Sequence, residues 1–314
     1  MTRALSTVGS MTFGLILPNK GLGASPELLD AGTAAAVEAG WRSAWVTDHL
    51  MVPKGDEADE YGTMLEALTT LAWVGGRHDH IVLGTSVISP AMRDAPQLAK
   101  ELATLDVLLG GRLVVGVGVS DVDDLPEYQN MGKEHRFEKR GAYVDEAIRL
   151  WRHLWSGATE PFEGEFHTLR DYTFGPLPVR KDATPIWAGG RSARALRRSA
   201  ELCDGYHAAQ TSPEDLVERI PALRAAFDKT GRPFPFVSTR ARVFFGGGPK
   251  KWYALIGSPE DMIEEVVKFA RNGNDELMLV FEGHTPDDLA AEVARFQAEV
   301  VAPAAERFAE TAGA

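Results

Sequence analysis

The chain has 314 residues, 44% hydrophobic and 25% charged, an ordinary globular composition that admits one large barrel or two average domains. Lys and Arg number 33 against 45 Asp and Glu, and the formal net charge of −12 sets nucleic acid and anionic membrane aside as default partners. The single cysteine, Cys203, excludes an internal disulfide and a cysteine-rich zinc site, and within "RRSAELCDG" it reads as a small buried hydrophobe.

The opening residues lack an apolar core of signal-peptide length, and no 18-residue apolar run follows, so a cytoplasmic protein is expected. Residues 1–10 read as a frayed or optional extension. The first strand is "TFGLIL" (12–17), followed by a helix that Ser25 caps, Pro26 starts and Gly40 closes. "SAWVT" (43–47) is the second strand, with a helical stretch near 63–76. "HIVLGTSVIS" (80–89) is the third, and the helix after it places Leu98, Leu102, Leu105 and Leu109 on one face. "RLVVGVG" (112–118) is the fourth.

Residues 119–139 read as a charged loop, "GAYVDEAIRLWRHLW" as an amphipathic helix, and 160–180 as an inserted hairpin and turn. The strands "TPIWAGG" (184–190), "GYHAAQ" (205–210), "FVSTRARVFF" (236–245) and "ELMLVF" (276–281) follow, each with a helix behind it, the last helix near 286–310. Three of the helix starts are written "SPE", at 25, 212 and 258: a hydroxyl cap, a proline in the first turn and a carboxylate at the positive helix end.

Eight strands alternating with helices fit an α/β fold of one domain over residues 1–314, a (β/α)8 TIM barrel with insertions after strand four and near strand seven. A doubly wound open sheet is the runner-up, but its GxGxxG turn is missing from "LPNKGLGAS". In a barrel the active site lies at the C-terminal strand ends. There strand two delivers Asp48 and His49, a polar contact and an imidazole suited to proton transfer near neutral pH. Strand three ends with the hydroxyls of Thr85, Ser86 and Ser89 beside Val87 and Ile88, a wall for a flat ligand. After strand four, Gly116 and Gly118 let backbone approach a ligand or a neighbouring strand, and Asp121, Asp123 and Asp124 follow. No HExxH or EF-hand spacing accompanies them, and no metal is expected.

After strand five, Gly189 and Gly190 open onto a helix that Ser192 can cap, a start suited to phosphate, with Arg191 and Arg194 beside it. Arg197 and Arg198 read as solvated helix arginines, and Lys250 and Lys251 as part of an exposed loop in preference to an anion contact. GxSxG elbows and GxxxxGK[ST] loops are missing.

The segments "FGLILPN", "WVTDHL", "LGTSVISP", "GGRLVVGVG", "PIWAGGRSARALRRSAELCDGY" and "GSPEDM", in this order and spacing, resemble the luciferase-like monooxygenase superfamily, especially its deazaflavin-dependent branch. The resemblance implies a TIM barrel, commonly a homodimer, that binds coenzyme F420 or FMN at its mouth. It implies contact with that coenzyme from Asp48, Thr85, Ser86, Val87, Ser89, Gly118, Val119, Ser120, Gly189, Gly190, Arg191 and Ser192. A non-prolyl cis peptide is implied at Ser86–Val87, with proton transfer by His49 and an acid role for Asp121, one methylene shorter than the glutamate of related sugar-phosphate dehydrogenases. Those enzymes carry a tryptophan where this chain has Pro53, so glucose 6-phosphate is not carried over as substrate. The expected activity is F420-dependent hydride transfer to or from a small organic molecule. The other readings are FMN-dependent monooxygenation and a flavin-binding barrel without turnover.

Overall fold

Apolar runs become strands and amphipathic runs become the helices that cover them. The computed structural model describes residues 4–21, 23–180, 184–249 and 253–312. In chain order the elements begin β1 (Thr12–Ile16), α1 (Pro26–Glu38), β2 (Ser43–Val46), α2 (Asp56–Tyr61), α3 (Ala67–Gly75), β3 (Val82–Thr85), α4 (Ala95–Leu108) and β4 (Leu113–Val117). An insertion follows, with α5 (Leu125–Asn130), α6 (Arg140–Trp155) and the hairpin β5 (Phe162–Glu163) and β6 (Thr168–Leu169). The second half holds β7 (Ile186–Gly189), α7 (Ala193–Leu202), β8 (Gly205–Ala209), α8 (Pro213–Asp228), β9 (Phe236–Phe245) and β10 (Ala254–Gly257). It ends with α9 (Pro259–Arg271), β11 (Glu276–Val280), α10 (Pro286–Phe296) and α11 (Ala302–Ala312).

Eight parallel strands close into a ring in the order β1, β2, β3, β4, β7, β8, β9, β11, with β11 returning to β1. This is the expected TIM barrel. Its core has two layers. Phe13, Leu15, Ala44 and Val46 point outward under the helices, while Ile16, Trp45, Val114, Trp187, Met278 and Val280 fill the interior. The two interior tryptophans lie 5.1 Å apart and need glycine on the strands beside them. A Cβ at Gly84 would meet Trp45, and one at Gly205 would meet Trp187, each at 2.2 Å. Below them the buried Glu276 bonds Ser43 Oγ at 2.5 Å and Arg42 at 2.9 Å, so the base of the barrel holds a paired charge.

The differences from expectation are local. Strand three leaves the ladder at Ser86, the Ser86–Val87 peptide is cis as the resemblance implied, and Ile88 rejoins through a bridge to Val117. The helix expected near 63–76 starts only at Ala67, and the shorter α2 precedes it. Residues 119–139 are not all loop, since α5 lies among them. The terminal helix is interrupted by a π-helical turn over Gln297–Val301. β10 went unanticipated and extends the outer end of β9. The N-terminal segment is not frayed throughout: Ser6 bonds the Ala39 and Gly40 carbonyls, and the buried Val8 pairs with Met11. Lys250 and Lys251 lie outside the described residues. None of the described helices is long and apolar enough to cross a membrane.

Candidate active site

Parallel strands deliver their last residues to one rim, and here the rim collects most of the polar residues expected there. Strand β2 runs straight into Thr47, Asp48 and His49. The His49 Nδ1 lies 2.8 Å from Glu127 Oε2 on α5, and its ring packs on Tyr61 of α2 with centroids 4.6 Å apart. The imidazole side chain is 22% exposed and the Glu127 side chain 1%, so the carboxylate sits behind the ring, away from solvent. Glu127 also accepts from the backbone N–H groups of Leu50 and Met51. Burial disfavours the imidazolium, but the hydrogen bond and charge of Glu127 outweigh it and raise the His49 pKa above its ordinary value. Burial likewise opposes ionisation of Glu127, and His49 with the two N–H donors more than offsets it, leaving this carboxyl below the usual range.

Asp48 does not touch that imidazole in this arrangement. Its carboxylate pairs with Arg93 at 2.7 Å and accepts from the Ser89 N–H at 3.3 Å, and Arg93 also reaches Glu66 at 2.9 Å. Burial pushes the Asp48 carboxyl upward against the pull of Arg93. The pair ties the end of β2 to the loop after β3. Further along that loop Ser89 Oγ lies 2.8 Å from Ser120 Oγ, with the Tyr128 hydroxyl 3.3 Å from Ser120. Val119 packs on the core beside them.

Thr85 spends its hydroxyl on the Gly116 carbonyl at 2.8 Å and so supports the rim. Ser86 Oγ lies 3.0 Å from His207 Nε2, whose Nδ1 lies 2.9 Å from Ser238 Oγ. Burial, with Arg240 nearby, drives the His207 pKa down to about 3, so this second imidazole is a neutral structural link. The strand-four and strand-five glycines serve neighbouring strands: a Cβ at Gly118 would stand 2.4 Å from Val87 Cγ2, and one at Gly189 3.0 Å from Val87 Cγ1. Val87 is therefore seated between β4 and β7.

Gly190 has φ +116°, a conformation suited to glycine, and turns the chain into α7. Ser192 caps that helix through the Ala195 N–H, while Arg191 and Arg194 are exposed beside it. A helix start leaves N–H groups without intrahelical partners, so this corner has the donors and the charge for a coenzyme phosphate, and the donor set fits F420 or FMN.

Asp121 is exposed and caps a short 3-10 turn, its carboxylate accepting from Val122 N–H at 2.7 Å, and the carboxylate bonded to the imidazole is Glu127. One expectation is corrected. Arg198 is buried and bonds Asp145 and the Gly141 carbonyl, in contrast to the solvated Arg197. Cys203 closes α7 and is buried as anticipated, and burial pushes its thiol up to about 12. Glu127, Arg93, Tyr61 and Arg240 were missed. For Arg240 a signal existed: "TRAR" in a strand places Arg240 and Arg242 on one face.

The sequence profile described as luciferase-like monooxygenase matches residues 11–249. An F420-dependent glucose-6-phosphate dehydrogenase of Microbacterium testaceum is 33% identical over 225 residues, 69% of this chain and 63% of that protein. One of the same name from Nakamurella multipartita is 32% identical over 74% of this chain and 70% of its own length. The chain thus spans under two thirds of the first of these relatives and slightly more of the second. Among solved structures, an F420-dependent secondary alcohol dehydrogenase in complex with an F420-acetone adduct superposes with TM-score 0.78 at 17% identity, covering 94% of this chain and 99% of that one. A monooxygenase from Streptomyces bottropensis does so with TM-score 0.76 at 18% identity, covering 93% and 99%. At such identities the likeness speaks for the shared barrel alone, but the profile match extends across most of the residues that build this mouth. The chain belongs to the luciferase-like monooxygenase family.

Proposed function

We propose that the protein is a coenzyme F420-dependent oxidoreductase acting on a small organic substrate, with His49 moving the proton that accompanies hydride transfer. The observation that carries the proton-transfer role is the 2.8 Å bond between His49 Nδ1 and the buried Glu127 in the barrel mouth. The names of the matched relatives support the coenzyme. When bound, F420 supplies a ring carbon that accepts or gives up a hydride and that reacts poorly with oxygen.

The side chains of this protein do the rest. Glu127 engages Nδ1, which leaves Nε2 to take or give the substrate proton, and it stabilises the imidazolium that results. Asp48, held by Arg93, fixes the loop whose Ser86–Val87 segment would serve as the wall for the coenzyme ring. Ser89, Ser120 and Tyr128 supply hydroxyls beside that segment, and Gly190, Arg191 and Ser192 would hold the phosphate. Asp121, exposed and committed to capping, is left without a step. The family resemblance also supports a homodimer, which sedimentation equilibrium would read directly.

Titrating the protein with F420 and with FMN, followed by tryptophan quenching, tests the coenzyme. F420 is expected to bind at least about tenfold tighter, a difference near 1.4 kcal/mol. The opposite order would favour FMN-dependent monooxygenation, and binding of neither would sink the reading of the mouth.

Glu127→Gln tests the pairing. Without the carboxylate, burial acts on His49 against only the charges of Asp124 and Asp48, so its pKa is expected to fall, read by NMR titration of the imidazole and by a matching shift of the pH–rate profile. An unshifted titration would remove Glu127 from the mechanism. The pair also links folding to pH. The raised His49 contributes stability that is complete below its unfolded pKa of about 6.5 and is lost as pH rises through its folded value. The lowered Glu127 contributes stability present above about 4.3 and lost as pH falls through its folded value.

A further inference from the structure

Three cations meet on the β9–β11–β1 side of the mouth. Lys20 follows β1, while Arg240 and Arg242 lie on the same face of β9. Glu60, brought in by α2, bonds both Lys20 and Arg242, and Glu282 lies 3.3 Å from Arg242. Arg240 sits deepest. Its acceptors are neutral, the Ser86 carbonyl at 3.1 Å and Thr47 Oγ1 at 3.4 Å, and among the described residues it has no carboxylate in ion-pair contact. Three positive charges against two carboxylates leave one positive charge unanswered at the rim. The crowding is felt at Lys20, where burial and then Arg240 lower the pKa to about 8.

Space adjoins this cluster. A cleft of about 710 Å³ runs along Lys20, Glu60, Arg242 and Glu282, and a smaller cavity of about 70 Å³ lies between Tyr61, Gln210, Arg240 and Arg242. The carboxylate that answers two of the cations stands on the six-residue α2, whose next residue, Tyr61, packs on His49. If Glu60 withdraws and Glu282 stays, the three cations keep a net charge of two, which a dianion neutralises and a monoanion does not.

We propose that Lys20, Arg240 and Arg242 form a subsite for a doubly charged oxyanion group of the substrate, occupied by Glu60 until the substrate displaces it. The subsite deepens the reading of the mouth as the active site and rests on it. Displacement releases α2 and Tyr61 from the rim, which couples recognition of the charged end of the substrate to the surroundings of His49.

The test is calorimetric titration of the full chain with inorganic phosphate and, separately, acetate, without coenzyme. Glu60→Gln is expected to tighten phosphate binding about tenfold by removing the internal competitor, and Arg242→Gln to weaken it at least about tenfold. Arg197→Gln, solvated on α7 and paired with Glu201, should leave this binding unchanged. In the wild type, saturating phosphate should speed amide exchange over residues 56–61. Acetate binding as tight as phosphate, unchanged or weaker binding by Glu60→Gln, unchanged binding by Arg242→Gln, or unaltered exchange in α2 would each overturn the proposal. F420 binding measured in parallel keeps the readings apart, since phosphate binding with no F420 binding would count against the coenzyme alone.

Discussion

Replacing His49 by alanine is expected to lower F420-linked turnover by about 10²–10⁴-fold, the usual range for a positioned general acid or base. The loss should fall on kcat and leave coenzyme affinity nearly unchanged, because the wall and the phosphate corner are built by other residues. Folding should survive, since Glu127 keeps the backbone N–H groups of Leu50 and Met51 when the imidazole is gone. Steady-state rates with alcohols, imines and enones, alongside F420 titration, separate the two effects. Undiminished turnover in the variant would reject His49 as the proton carrier. A wild type that binds F420 and turns over nothing would favour a barrel that only holds its ligand.

Arg93→Met should be the costliest single change at the rim for stability. It leaves the Asp48 carboxylate, with a side chain 3% exposed, facing one backbone N–H at 3.3 Å. Stranding one member of a buried ion pair costs about 3–5 kcal/mol. Burial already raises the Asp48 pKa, and removing Arg93 raises it further. A carboxyl with a raised folded pKa takes up its proton more readily in the folded state, so its penalty grows as pH climbs above the unfolded value of about 3.9. The variant is therefore expected to be weakest near neutrality and to recover part of its loss on acidification, read from urea midpoints across that range. Asp48→Asn combined with Arg93→Met should restore much of the deficit. If Arg93→Met unfolds at the wild-type midpoint at pH 7, Asp48 is not ionised in the fold.

How much of this was legible before folding follows from what each residue touches. The strands were, because parallel barrel strands buried on both faces read as continuous apolar runs, as in "SAWV" and "LVVGV". Asp48 and His49 stood out as polar residues ending such a run. Glu127 did not, since it shares an acidic segment with Asp121, Asp123 and Asp124, and only the turn into α5 decides which carboxylate folds back on the imidazole. Arg93 is a lone arginine whose partner lies 45 residues away. The polar 51–62 segment shows no period that would reveal a helix carrying Glu60 and Tyr61 to the rim. Local pattern announces a strand; long-range pairing of charges has no local pattern.

The one cysteine of the chain is sealed in the interior with a thiol that stays protonated at any working pH. The molecule is thereby a blank background for site-directed labelling. A cysteine placed at the exposed Asp59, next to Glu60 on α2, would be the sole thiol open to a maleimide dye. Opening of that helix over the barrel could then be followed in real time on an otherwise unaltered framework.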